Sequence, residues 1–331
     1  MTTTAIGRGI GLLSGVLAAA AMAVTTATLA MAQAPAGEPQ GLPVVGAPTP
    51  GGVNYQPAVT PVAEDMHWLS GWVHGIMAVI VAFVTILLLI VIFRFNRKAN
   101  PTPASFTHNT KLEIAWTLIP VVILILIGSF SLPILFKQLE VPKPDLTIKV
   151  TGNQWYWSYE YPENQMSFDA LMLQRDQLAQ YGYSDDLYLL ATDNAVVVPV
   201  NAVVRLQITA ADVIHSWAMP AFGVKLDAVP GRLQETWFQA QEPGVYFGQC
   251  SELCGKDHSY MPITVKVVSQ AEYDSWLAWA VAERGGTLTS ATETSAGAAS
   301  AAETPATETP ATETPVTETP AAETPAAEPA R

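Results

Sequence analysis

Two long uncharged apolar stretches limit what this chain can become more than any other feature of it. Gly75–Phe93 runs for 19 residues and Ile114–Phe136 for 23 without a charged side chain, and about 20 residues carry a helix across the hydrocarbon of a bilayer. Backbone in lipid must satisfy every N–H and C=O internally, so each stretch is expected to be a helix. Pro120, Gly128 and Pro133 fall inside the second, where neighbouring helices can satisfy the backbone groups they free. Trp68 and Trp72 precede the first stretch at the depth of an interfacial aromatic belt. The connection holds Arg94, Arg97, Lys98 and Lys111, with no acid before Glu113, which places it on the cytoplasmic side. The expectation is a transmembrane two-helix hairpin over residues 67–138, with both ends of the mature chain exported.

The N-terminus gives the same orientation. Arg8 precedes an Ala-rich apolar stretch from Ile10 to about Val24, and Ala30-Met31-Ala32 supplies small residues for cleavage before Gln33. Residues 1–32 therefore read as a secretory signal peptide rather than a third membrane helix. Residues 33–66, rich in Pro and Gly, read as an exported linker. A bacterial inner membrane, with both termini of the mature chain in the periplasm, is the implied location.

Charge separates the remaining segments. Residues 1–138 carry six Lys/Arg and four Asp/Glu, residues 139–286 nine against eighteen, and residues 287–331 one against seven. An acidic exported domain does not favour nucleic acid and steers a basic protein partner toward itself. The last segment repeats a Thr/Ala-Glu-Thr-Pro-Ala/Val unit. Proline at that spacing forbids a helix and the composition cannot bury a core, so a disordered tail is expected over 287–331.

Residues 139–286 read as all-β. Leu146–Val150, Trp155–Tyr161, Val196–Val200, Val203–Thr209, Glu235–Gln239, Val245–Gln249 and Ile263–Val268 have strand composition, separated by turn signals such as Pro230-Gly231 and Pro243-Gly244. Residues 162–192 form an insertion expected to be partly helical around Ala170–Leu178. Ser269 with Glu272 makes a capping box for a short helix through about Glu283.

The chemistry concentrates in Cys250-Ser-Glu-Leu-Cys-Gly-Lys-Asp-His-Ser-Tyr-Met261, which holds both cysteines of the chain, with His215 upstream in Ile-His-Ser-Trp. Two cysteines in an exported domain ordinarily pair as a disulfide. A disulfide needs neither His258 nor Met261, whereas a metal loop uses both. Thiolate, imidazole and thioether together select copper, and a second thiolate suggests two copper ions bridged by two sulfurs. Zinc competes for Cys/His sets, but Met261 is a poor zinc ligand.

This loop, together with His-Ser-Trp upstream, Lys-Leu-Asp-Ala-Val-Pro-Gly-Arg over 225–232, Gln-Trp-Tyr-Trp-Ser-Tyr-Glu-Tyr over 154–161 and Leu-Glu-Ile-Ala-Trp-Thr over 112–117, resembles subunit II of cytochrome c oxidase from about Pro61 to Arg284. The resemblance implies a cupredoxin-like Greek-key barrel. It implies a dicopper (CuA) centre bridged by Cys250 and Cys254, with His215 and Met261 on one copper and His258 and the Glu252 carbonyl on the other. The Glu252 carboxylate would also hold Mg2+ or Mn2+ at the boundary with subunit I. Trp155 would accept electrons from cytochrome c, Glu160, Asp193 and Asp212 would help to dock it, and Glu113 would stand at a proton-uptake path. Asp227 and Arg232 would contact subunit I. The family more often has His where this chain has Asn153.

The function so implied is electron uptake from cytochrome c and delivery to haem in subunit I, where oxygen becomes water. Two other readings use the same parts. A quinol oxidase subunit II would be a copper-free structural module, against which the complete ligand set argues. A periplasmic copper carrier would need neither Trp155 nor a membrane hairpin.

Overall fold

The computed structural model describes residues 37–288. The expected signal peptide and nearly all of the expected tail lie outside the described residues. Two long helices, α1 (Pro61–Arg94) and α2 (Thr110–Leu139), precede a β sandwich closed at its C-terminal end by a short helix, α3 (Gln270–Arg284). At about 1.5 Å per residue, α1 and α2 extend roughly 51 and 45 Å, more than enough to cross ~30 Å of hydrocarbon. Neither has a buried residue in its apolar stretch, as expected of helices whose solvent is lipid. Trp68 and Trp72 stack on each other, and both meet Phe130 of α2 edge-on at 5.9 and 5.1 Å.

Helix α1 starts at Pro61, ahead of the expected boundary at 67. Thr60 caps it: its hydroxyl accepts from the Ala63 N–H and donates to the Phe222 carbonyl of the sandwich, while Pro61 occupies the first helical turn, where no N–H is needed. The start of the membrane hairpin is thereby bonded to the sandwich. Its return end is bonded as well, since Gln138 donates to the Gly223 carbonyl, Trp237 donates to the Lys137 carbonyl, and Lys137 pairs with Asp65 of α1.

The sandwich comprises two sheets. One has the order β4 (Met166–Ala170), β3 (Tyr156–Tyr161), β2 (Leu146–Asn153), β6 (Val204–Ala210), β9 (Gln234–Phe238). The other runs β5 (Val196–Pro199), β11 (Pro262–Val268), β10 (Gly244–Cys250), β7 (His215–Met219), β8 (Val224–Ala228). Antiparallel pairs dominate, with β2/β6 and β5/β11 parallel. Alternation is clean where one face meets solvent: in β3 Trp157, Tyr159 and Tyr161 point inward and the residues between them do not. Between the sheets lie Trp157, Trp217, Phe222, Phe238 and Tyr246.

Strand β11 is buried along its whole length, because its outer face is covered too. Part of that cover is the insertion, which corrects the expectation of a helix around Ala170–Leu178. It contains β4, a bridge between Met172 and Thr192, and three single 3-10 turns, Pro162–Asn164, Leu178–Tyr181 and Asp185–Leu187. Leu173, Leu178, Tyr183 and Leu187 gather into a second small core against Val245 and Phe247, and compact turns achieve that convergence within a short segment. The remaining cover is the segment read as a linker. β1 (Val44–Gly46) pairs parallel with the N-terminal half of β10, and Glu38 reaches Lys266 on β11 at 2.8 Å with both side chains almost fully buried.

Strands β7 and β8, which carry His215 and the 225–228 segment, were not expected from composition. The hairpin they form turns through Pro220–Phe222 and Gly223. The Ser269–Glu272 capping box at the start of α3 is formed as expected.

Candidate metal centre

One end of the sandwich gathers the last residue of β10 (Cys250), the first of β7 (His215), the end of β2 and the loop running from Ser251 to β11. Pairing of β7 with β10 sets Cys250 opposite Trp217, so His215 and Cys250 come together from strands far apart in sequence. Gly152 on β2 lets His215 in: a Cβ there would lie 2.8 Å from the imidazole Cδ2. The histidine is fully buried.

Ligand atoms of His215, Cys250 and Cys254 all lie within 4.8 Å of one another. His215 Nδ1 is 3.9 Å from Cys250 Sγ, and the two sulfurs are 3.9 Å apart. Cys254 Sγ is 3.5 Å from both His258 Nδ1 and Met261 Sδ, and Cys250 Sγ lies 3.4 Å from the Glu252 carbonyl oxygen. A disulfide would hold the sulfurs at about 2.05 Å; here both thiols are free, so the cysteine pair is not joined. The donor set fits copper on its chemistry: two thiols, two imidazole nitrogens, one thioether and one carbonyl face one another in a largely buried pocket.

Electrostatics at the pair separate the two thiols. Burial opposes ionisation of Cys250, but hydrogen bonds from His215 and from neighbouring backbone bring its pKa down to about 7. Burial and the charge on Cys250 push Cys254 up to about 12. The pair therefore gives up its first proton much more readily than its second, which a bound cation would displace.

Asp212 does something that the sequence reading missed. Its carboxylate accepts from His215 Nε2 at 2.9 Å and from the backbone N–H groups of Gln154 and Val213. Holding the proton on Nε2 leaves the Nδ1 lone pair facing the sulfurs. Burial works against this carboxylate's charge, yet the hydrogen bonds led by His215 keep it below the usual range. The Asp-x-x-His spacing was the available signal. Trp157 was missed similarly: its indole N–H donates to the Met261 carbonyl at 3.1 Å, and its ring meets His215 edge-on.

The expected alternation of Trp155, Tyr156 and Trp157 holds only from Tyr156 onward, because Trp155 lies in the turn between β2 and β3. Trp155 is half-buried, and its indole N–H donates to the Cys254 carbonyl at 3.3 Å. Asn153 bonds locally, donating to Ser158 Oγ and the Thr151 carbonyl.

The other expected residues sit apart from the sulfur cluster. Glu160 pairs with Lys149 at 3.0 Å on the surface. Asp193 is half-buried, its carboxylate accepting from the Leu171 and Asn194 N–H groups, and burial pushes its pKa up. Glu252 points its carboxylate outward, 3.9 Å from Lys225, which also meets Asp227 at 3.1 Å. Glu113 accepts from the Asn109 N–H at the start of α2.

Comparison with known proteins agrees with this geometry. Residues 146–268 match the family described as cytochrome c oxidase subunit II, periplasmic domain, and residues 48–134 match cytochrome c oxidase subunit II, transmembrane domain. Cytochrome c oxidase subunit 2 of Cereibacter sphaeroides is 54% identical over 279 residues, covering 80% of this chain and 91% of that protein. The probable cytochrome c oxidase subunit 2 of Rickettsia felis is 48% identical over 232 residues, covering 70% and 72%. Among solved structures, the periplasmic domain of subunit II of cytochrome oxidase of Bradyrhizobium japonicum is 55% identical, covering 44% of this chain and 100% of that one, with a TM-score of 0.40. A buried Cys/His/Met cluster on a two-sheet sandwich behind a membrane-length hairpin, matched in both parts, makes this chain a member of the cytochrome c oxidase subunit II family.

Proposed function

We propose that this chain takes electrons from cytochrome c at a dinuclear copper (CuA) centre and passes them to haem in subunit I. The observation that carries the reading is the unjoined pair of cysteines, enclosed by His215, His258, Met261 and the Glu252 carbonyl. When bound, two copper ions held by Cys250, Cys254, His215, His258, Met261 and the Glu252 carbonyl would supply a one-electron relay. The protein's part is to hold the ligands in one arrangement in both redox states. His215 is fixed by Asp212 and walled in by Gly152, Met261 by the Trp157 bond to its own carbonyl, and the Cys254 carbonyl by Gln154 and Trp155. Burial keeps water from the sulfurs, so little solvent reorganises as charge moves.

Trp155 stands between that loop and solvent, which supports it as the point where electrons arrive. The acidic balance of residues 139–286 supports steering of a basic cytochrome c, acting on association rate more than on affinity. Glu160, Asp193 and Asp212 belong to that acidic field. The Glu252 carboxylate would hold Mg2+ or Mn2+ with waters and groups from subunit I, as a single carboxylate suits Mg2+. Glu113 would mark a proton-uptake path, a role supported by the family resemblance alone. The basic connection between the helices supports placing the sandwich and both termini of the mature chain on the periplasmic side of a bacterial inner membrane.

The test is EPR of the full-length chain, copper-loaded and free of subunit I, with the metal quantified. A multi-line hyperfine pattern at two copper per chain is expected. A four-line mononuclear signal at one copper would turn the reading toward a carrier.

A further inference from the structure

Trp155 and the loop after Cys254 approach each other closely. The indole N–H and the Gln154 side chain both donate to the Cys254 carbonyl, at 3.3 and 2.9 Å. A Cβ on Gly255 would stand 2.9 Å from the indole Cζ2. The next side chain, Lys256, folds back over the ring: its Nζ is 5.6 Å from the indole centroid, within cation–π range, and 3.6 Å from the Asp257 carboxylate. That side chain is 78% exposed. A positive charge therefore stands at the surface, over the aromatic ring, in a domain whose overall charge is strongly negative.

We infer that Lys256 is a specificity-determining residue for the electron donor, rejecting partners that bring positive charge directly over Trp155. The inference rests on reading Trp155 as the electron-accepting residue. The acidic domain draws a lysine-rich donor in from a distance, where only net charge is felt. At contact the sign reverses locally, because the ammonium over Trp155 meets whatever the donor places there. Asp257 offsets part of that charge from one side and leaves the ammonium exposed. The partner that fits presents an uncharged patch over Trp155 and keeps its lysines on the rim. Like-charge juxtaposition thus selects register among basic donors.

The experiment uses the assembled oxidase, a soluble lysine-rich cytochrome c as probe, and the variants Lys256→Arg, Lys256→Gln and Lys256→Glu. Kd for the oxidised probe and steady-state KM are read at low and moderate ionic strength. Lys256→Arg should match the parent. Lys256→Gln should lower both Kd and KM by about two- to fivefold, the range of one exposed charge interaction, and Lys256→Glu by more. The gain should shrink with salt and fall on Kd and KM rather than on the rate at saturating donor. Unchanged or weaker binding in the Gln and Glu variants overturns the inference. Trp155→Ala, checked for copper content, separates the two levels. If electrons arrive as fast without the indole, the uptake reading itself fails; if they slow while the Lys256 series stays flat, only the role of Lys256 falls.

Discussion

His215 shows how a candidate ligand is positioned by more than its own side chain. Asp212 fixes its tautomer, and Gly152 gives it room. Replacing Asp212 with Asn removes the charged acceptor and lets the imidazole reorient, so copper affinity should fall about 10- to 100-fold, as measured by competition with a chelator of known affinity. Gly255 is the residue-scale counterpart on the other side of the site. Its φ of +131° is a backbone state that other residues rarely adopt, and a methyl there would press on Trp155. Gly255→Ala should keep two copper ions per chain yet slow electron uptake in stopped-flow measurements. The gathering of His215, Cys250 and Cys254 was legible in sequence because soft donors at short intervals have few other uses. Asp212 was hard to read as an orienting group, because an acid that only faces solvent and one that holds an imidazole look alike apart from the Asp-x-x-His spacing until the fold sets them against a partner.

At the scale of elements, the strands that sequence revealed were those with dense β-branched and aromatic runs. β7 and β8 lacked such runs: His-Ser-Trp-Ala-Met becomes a strand because β10 supplies its partner, a tertiary cause invisible to local composition. The insertion after β4 was misread for a related reason, since its shape is set by the second core that it forms on β10, while β4 takes its shape from pairing with β3. Helix α3, by contrast, announced itself through its cap. Ser269→Ala should cost about 1 kcal/mol in chemical denaturation. The cap also carries a pH signature. Hydrogen bonds from Ser269 lower the Glu272 pKa, so this contribution is complete above the ordinary carboxylate pKa and is lost as pH falls through the lowered value. Denaturation midpoints of parent and Ser269→Ala should therefore converge in acid.

On the scale of the whole molecule, the largest departure from the sequence reading is the segment ahead of α1. Pro and Gly content suggested a free linker, yet Glu38 and Lys266 form a buried pair and β1 covers the open edge of β10. No composition rule pairs a glutamate with a lysine more than two hundred residues away. Glu38→Gln leaves the Lys266 ammonium buried without its counter-charge and should destabilise the chain by about 3–5 kcal/mol, with the double variant Glu38→Leu/Lys266→Met regaining most of that. Urea midpoints of the detergent-purified protein would check both values.

The bonds between hairpin and sandwich carry a mechanical meaning. Thr60 to Phe222, Gln138 to Gly223 and Trp237 to Lys137 grip the sandwich at both membrane-facing ends of the helix pair. A domain fastened at two points has no hinge on which to swing. Such bonding suits a stationary pier rather than a tethered shuttle, with the sulfur cluster held at a set distance from the ends of the helix pair.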